Sequence, residues 1–125
     1  MVIERRHIDS LDGARKSQIV ATDELIFLSG IHPETTDGDV KEQTRSALAR
    51  VDALLAELSE DQSAILVVHV WLKDMRYFAA MNAAWNEWAD PENPPARTCV
   101  SGELYRPDLL VEVVVTACRT GEVSA

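Results

Sequence analysis

Pro94-Pro95-Ala96-Arg97-Thr98-Cys99-Val100 and, a few residues on, Leu109-Leu110-Val111-Glu112-Val113-Val114-Val115 decide how this chain is read. Both stretches favour strands, the second because of its β-branched residues. The second carries one carboxylate inside an apolar run, and a carboxylate is expensive to bury without a partner. Residues 102–108 between them, Gly-Glu-Leu-Tyr-Arg-Pro-Asp, have the composition of a turn. An antiparallel hairpin with its turn centred between Leu104 and Tyr105 would make Arg97 and Glu112 cross-strand neighbours. A guanidinium beside a carboxylate on a mostly apolar sheet is either a structural ion pair or a site for a small anion. Spacing alone leaves both readings open.

Residues 65–72 (Ile-Leu-Val-Val-His-Val-Trp-Leu) are apolar except for His69 and read as a central strand buried on both faces. His69 then reads as a satisfied core histidine. Residues 16–21 and 25–29 read as two strands joined by a turn at 22–24, and residues 2–8 as an edge strand. A loop rich in turn residues follows from Gly30 to Gly38, and His32 within it is expected to face solvent. Asp39 is a good helix N-cap with Glu42 three residues later. Val40, Ala47, Leu48, Val51, Leu54, Leu55 and Leu58 then recur at helical spacing, which predicts a helix over about 39–59. Asp74 is placed to cap a second helix, striped by Phe78, Met81, Trp85 and Trp88 and ended before Pro91. Trp71, Trp85 and Trp88 read as core or subunit contacts.

The order is therefore β-β-β-α-β-α-β-β. It predicts a single α+β domain over residues 1–125, with two helices on one face of a mixed sheet of about six strands. Nothing is left to cover the other sheet face, so an oligomer is expected.

A chain of 125 residues with a formal net charge of −9 lacks the cationic surface that general nucleic-acid binding needs. Cys99 and Cys118 have neither a CxxC partner nor a histidine at ligand spacing, so no metal site is expected and both read as reduced, buried thiols. No stretch resembles a signal peptide or a membrane helix, and a cytoplasmic location is expected.

The run Pro95-Ala96-Arg97-Thr98-Cys99-Val100, followed by Val111-Glu112-Val113, resembles the signature of the Rid family, the reactive intermediate deaminases of YjgF type. Ser17-Gln18 ahead of Leu25-Ile26-Phe27-Leu28-Ser29-Gly30 is similar to that family's N-terminal hairpin. The segment from Gln43-Thr44 to Leu55 is similar to its first helix, and Phe78-Ala79-Ala80-Met81-Asn82-Ala83-Ala84-Trp85 to its second. The tryptophan-rich second helix is most like the YoaB-like branch.

The resemblance implies a chorismate-mutase-like fold and a homotrimer with its sites at the subunit interfaces. It implies hydrolysis of 2-imino or enamine acids to 2-oxo acids and ammonia, with no metal and no organic cofactor. Arg97 would hold the substrate carboxylate bidentately. Glu112 would take a proton from the attacking water and return one to the departing nitrogen. Backbone donors near Ser29-Gly30 and at Cys99 would complete the anion site, and Asn82 would hydrogen-bond across it. The chain departs from the family pattern in two places. Lys16 stands where a tyrosine precedes the Ser-Gln pair, offering a second positive contact, and Ile31 stands where glutamine often follows Ser-Gly. Other readings are a non-catalytic binder of 2-oxo acids, which needs Arg97 but not Glu112; a ribonuclease or translation inhibitor, which the acidic composition disfavours; and a chaperone-like scaffold, in which neither residue matters.

Overall fold

Period-two burial sets the strands. Val111, Val113, Val115 and Ala117 are buried while Glu112, Val114, Thr116 and Cys118 are half-exposed, so alternate side chains of one strand serve opposite faces of a sheet. The computed structural model describes residues 1–10 and 13–120. Its strands are β1 (Glu4–Asp9), β2 (Lys16–Ala21), β3 (Leu25–Leu28), β4 (Ile65–Leu72), β5 (Ala96–Ser101) and β6 (Val111–Cys118). Its α-helices are α1 (Val40–Glu57) and α2 (Phe78–Trp88), and the elements follow in the predicted order.

Helix α1 forms where the spacing predicts it. Val40, Thr44, Ala47, Leu48, Val51 and Leu55 make its buried stripe, and the Asp39 side chain accepts from the Glu42 backbone N–H. The chain leaves the helix through Leu58 and Ser59, the latter in the left-handed region at φ 59°. Asp74 acts one turn earlier than expected: it caps a 3-10 turn at Met75–Tyr77, and α2 continues directly from that turn. The α2 helix stops at Trp88, before Pro91.

Among the described residues the strands form one sheet in the order β1-β2-β3-β6-β4-β5, parallel only between β4 and β5. Both β3 and β4 run antiparallel to β6, so they run parallel to each other. The two helical connections therefore step the same way across the sheet, and the right-handed crossover rule puts both helices on one face. There Leu48, Val51, Leu55, Met81 and Trp85 pack onto Ile19, Ile26, Val68, Val70, Leu72 and the inward valines of β6. Leu48, 1% exposed, is the kind of side chain whose truncation to alanine costs about 2–5 kcal/mol.

The expected hairpin does not form. Strand β4 lies between β5 and β6, pairing parallel with the first and antiparallel with the second. Two causes explain this. The α2 crossover delivers β5 to the outer edge beside β4, while β6, the more apolar strand, gains two strand neighbours and a buried face by inserting between β3 and β4. The connection over residues 102–110 is long enough to pass over a strand, and exceeds the about two to five residues that hairpins favour.

Arg97 is consequently aligned with Val68 and Glu112 with Trp71, three positions further along β4. Val68 is buried under the helices and Trp71 lies on the opposite face, so Arg97 and Glu112 occupy opposite faces of the sheet. Two strand steps and three residues separate their backbones by about 14 Å.

The expectation that β4 is buried on both faces also fails for the single chain, because only its helix-side residues are covered. His69 is exposed rather than a core residue, and its Nδ1 is hydrogen-bonded to Thr98 Oγ1 at 2.6 Å. The open face carries Phe27 at 43%, Trp71 at 41% and Val100 at 46% exposure. An apolar face of this kind is what a partner covers. Trp85 is core, and Trp88 packs against it at a ring separation of 5.3 Å. No described helix is long and apolar enough to cross a membrane.

Candidate functional site

Two clusters of the expected residues form, on different sides of the sheet. The first gathers around Glu112. Beyond β3 the chain stays beside β6: Ile31 and Val113 exchange backbone hydrogen bonds of 2.8 and 3.0 Å, an isolated antiparallel bridge. Gly30, just before it, is thereby laid against the Glu112 side chain. A Cβ added at Gly30 would lie 3.0 Å from Glu112 Cδ and 3.0 Å from Oε2, so only glycine allows this approach without displacing the carboxylate. The Ser17-Gln18 segment of β2 holds the same corner. Ser29 Oγ donates to the Ser17 carbonyl at 2.6 Å, and Gln18 Nε2 donates to the Ser29 carbonyl at 3.3 Å.

Glu112 has a partner that the sequence reading placed in solvent. His32 Nε2 is hydrogen-bonded to Glu112 Oε1, and the two side chains are only 19% and 26% exposed. A carboxylate oxygen accepts, so Nε2 carries the proton. The imidazole packs at 4.9 Å against the Tyr105 ring, and Arg50 Nη1 donates to the His32 carbonyl at 2.8 Å. His32 looked like loop because Pro33 and the following turn residues dominate its neighbourhood. The Ile31 bridge, which turns the next side chain onto Glu112, has no local sequence signal. Lys16, Gly30, His32, Tyr105 and Glu112 line a cavity of about 300 Å³. Gln43 steadies the loop carrying Tyr105. It is buried within α1, donates from Nε2 to the Asp108 carbonyl at 3.0 Å, and accepts at Oε1 from the Leu110 N–H at 2.9 Å.

The second cluster lies at the β5 edge on the helix side. The Arg97 guanidinium sits 5.0 Å from the Trp85 ring and 5.7 Å from Phe78, with Nη1 3.6 Å from Met81 Sδ. The rings hold a cation in place without using its N–H donors, and the thioether engages only Nη1, as a weak acceptor. Cys99 follows two residues on, on the same face and half-buried rather than fully buried. Burial pushes its thiol up, against the smaller opposing effect of the Arg97 charge, so its chemistry at neutral pH is that of a thiol. As an edge strand, β5 presents unpaired backbone groups along its outer side. Asn82 is on α2, one residue from Met81, and its Oδ1 is buried without a hydrogen-bond partner among the described residues. A buried orphan acceptor is rare enough to mark a place where a further donor is needed.

The structure thus brings Lys16, Gly30 and Glu112 together, and separately Arg97 and Cys99 on a face that also meets α2. It does not join the two groups within one chain. No group of three or more metal-ligating side chains occurs among the described residues.

Residues 11–119 match the family described as endoribonuclease L-PSP. The chain is 37% identical over 108 residues to a RutC family protein of Haemophilus influenzae, covering 86% of this chain and 93% of that one. It is 36% identical over 104 residues to the RutC family protein YoaB of Escherichia coli, covering 83% and 90%. Its fold superimposes on a YjgF-family protein of Neisseria meningitidis with a TM-score of 0.89 at 36% identity, covering 97% of this chain and 98% of the other. The fold, the Arg97 and Glu112 segments and these relatives agree: the chain belongs to the RutC/YjgF family, also called Rid.

Proposed function

We propose that this protein hydrolyses reactive 2-imino or enamine acids to 2-oxo acids and ammonia, at a site completed between subunits of a homotrimer. The observation that carries this reading is the division of the site. One chain presents a carboxylate in a small cavity, and on the opposite face, at a sheet edge, a guanidinium held by aromatic rings. A neighbouring copy that covers the open face and meets the β5 edge supplies one cluster to the other. The exposed Phe27, Trp71 and Val100 give it an apolar surface to bury.

At that joint site Arg97 grips the substrate carboxylate with two parallel N–H donors, and the outward backbone of Cys99 adds to the grip. Gly30, with no side chain, leaves the Glu112 carboxylate its place beside the substrate. The substrate enters as the protonated imine. Glu112 accepts a proton of a water whose oxygen bonds to C2 while the C=N π pair moves onto nitrogen, giving a neutral carbinolamine. Glu112 returns that proton to the amine nitrogen, the C–N bond breaks with its electron pair on the departing ammonia, and the hydroxyl proton passes to Glu112 as the 2-oxo acid forms. Ammonia takes that proton and leaves as ammonium, which restores the carboxylate. Fixing the carboxylate fixes C2 relative to Glu112, and such orientation is a large share of the rate. Lys16, which lines the same cavity, adds positive charge.

A second reading, a binder of 2-oxo acids without turnover, is favoured by the lysine at position 16 where the family pattern has tyrosine. The ribonuclease reading is opposed by the net charge of −9. An assay separates them. An amino-acid oxidase generates imines from a panel of amino acids, and semicarbazide traps what survives. Deamination predicts faster loss of imine with wild type and not with R97A or E112Q. Unchanged imine decay, with 2-oxo acids still bound through Arg97, establishes the binding reading instead.

A further inference from the structure

We propose that His32 is a positioning residue for this reaction: its Nε2–H holds Glu112 Oε1 so that Oε2 is the oxygen that meets water. The inference rests on the deaminase reading above. Its geometry is complete within one chain. The imidazole is held on two sides, by Glu112 at Nε2 and by the Tyr105 ring at 4.9 Å, and Arg50 anchors the His32 backbone by donating to its carbonyl at 2.8 Å. The carboxylate is fixed on two, by His32 at Oε1 and by the close passage of Gly30 at Oε2.

A free glutamate side chain on a strand samples several rotamers and either oxygen. One donor on Oε1 removes that freedom and assigns the oxygens different work. A hydrogen bond to a charged acceptor is about twice as strong as a neutral one. Oε1 carries that bond throughout the cycle. Oε2 takes the proton of the attacking water, delivers it to the amine nitrogen, and takes the hydroxyl proton as the carbonyl forms. His32 neither gains nor loses a proton in any step, so a non-titrating donor of similar reach can replace it.

The test uses the full-length protein. In the imine assay, H32F should lower kcat about 10-fold with KM little changed, because the substrate grip lies with Arg97. H32Q, which keeps an N–H donor, should recover most of kcat, while the thermal midpoints of both variants stay near wild type. Wild-type kcat in H32F, or equal loss of kcat in H32F and H32Q, overturns the proposal. A second measurement does not depend on turnover. Proton NMR of the wild type should show an exchange-protected, downfield imidazole N–H that disappears in E112L, which has no acceptor, and in H32Q. Its absence from wild type, or its persistence in E112L, refutes the His32–Glu112 pair. If wild type hydrolyses no imine while the resonance behaves as expected, the deaminase reading fails and the pair stands.

Discussion

Replacing Gly30 by alanine tests the geometry around Glu112 with a single methyl group. The new Cβ would stand 3.0 Å from both Cδ and Oε2 of Glu112 and 3.3 Å from Oε1. Comfortable contact with carbon begins at about 3.5 Å, so the carboxylate must retreat by about 0.5 Å. Its retreat pulls against the hydrogen bond between Oε1 and His32. A misplacement of 1 Å at a reacting group costs about 100-fold, so half that distance should cost about 10-fold in kcat, or about 1.4 kcal/mol of barrier. Gly30 is outside the left-handed region, so alanine meets no backbone strain there. The Glu112 side chain is 26% exposed and can yield sideways, so the stability cost should stay below about 1 kcal/mol. The assay is imine hydrolysis beside thermal unfolding of the same sample. Wild-type kcat in G30A would refute the claim that Gly30 is there to admit the carboxylate. A collapse of stability with no specific loss of kcat would assign the glycine to folding instead.

Further outcomes follow from the same contacts. R97K should bind 2-oxo acids far more weakly than wild type, since an ammonium cannot reproduce the bidentate fork; calorimetric titration reads this, and wild-type affinity in R97K would contradict a bidentate grip. Q43L should cost about 1–3 kcal/mol for each backbone group it strands, chiefly the Leu110 N–H and the Asp108 carbonyl, measured by urea unfolding; it should also lower kcat by loosening the loop that carries Tyr105. D39A removes the acceptor for the Glu42 N–H and should cost about 1 kcal/mol, a fall of about 3–6 °C in thermal midpoint. D52N probes pH dependence. Burial pushes the Asp52 carboxyl up, so the folded protein holds that proton more tightly than the unfolded chain, and the stability it contributes at low pH is lost as pH rises through its folded value. The amide that replaces it titrates nothing, so the stability of D52N relative to wild type should grow as pH rises from the acidic range to neutral. A difference independent of pH would show that Asp52 does not titrate differently on folding.

Local physics made most of the elements legible. The runs at 16–21 and 65–72 became β2 and β4 with the expected bounds, because alternation and β-branching fix a strand wherever it ends up in the sheet. Asp39 and the apolar spacing after it fixed α1 for the same reason. Pairing is different, because it depends on competition among strands far apart in sequence. The apolar character of β6 suggests one half of a hairpin, but it marks a strand that gains most at the centre of the sheet. The length of the 102–110 connection was the available clue. The residue types at the site are also legible, but the same expected hairpin puts Arg97 and Glu112 side by side, whereas they stand on opposite faces. His32 was missed because its role depends on a two-residue bridge between loop and strand, which no periodicity announces.

One chain holds Arg97 and Glu112 apart, so subunit mixing shows whether they act together across an interface. R97A and E112Q, each inactive alone, are co-expressed and the mixed oligomers confirmed by native mass spectrometry. In a ring of head-to-tail interfaces with random assortment, about one site in four combines an intact Arg97 with an intact Glu112. Imine hydrolysis should therefore return to about a quarter of the wild-type rate. Mixed oligomers that remain as inactive as either parent would contradict a site shared between subunits.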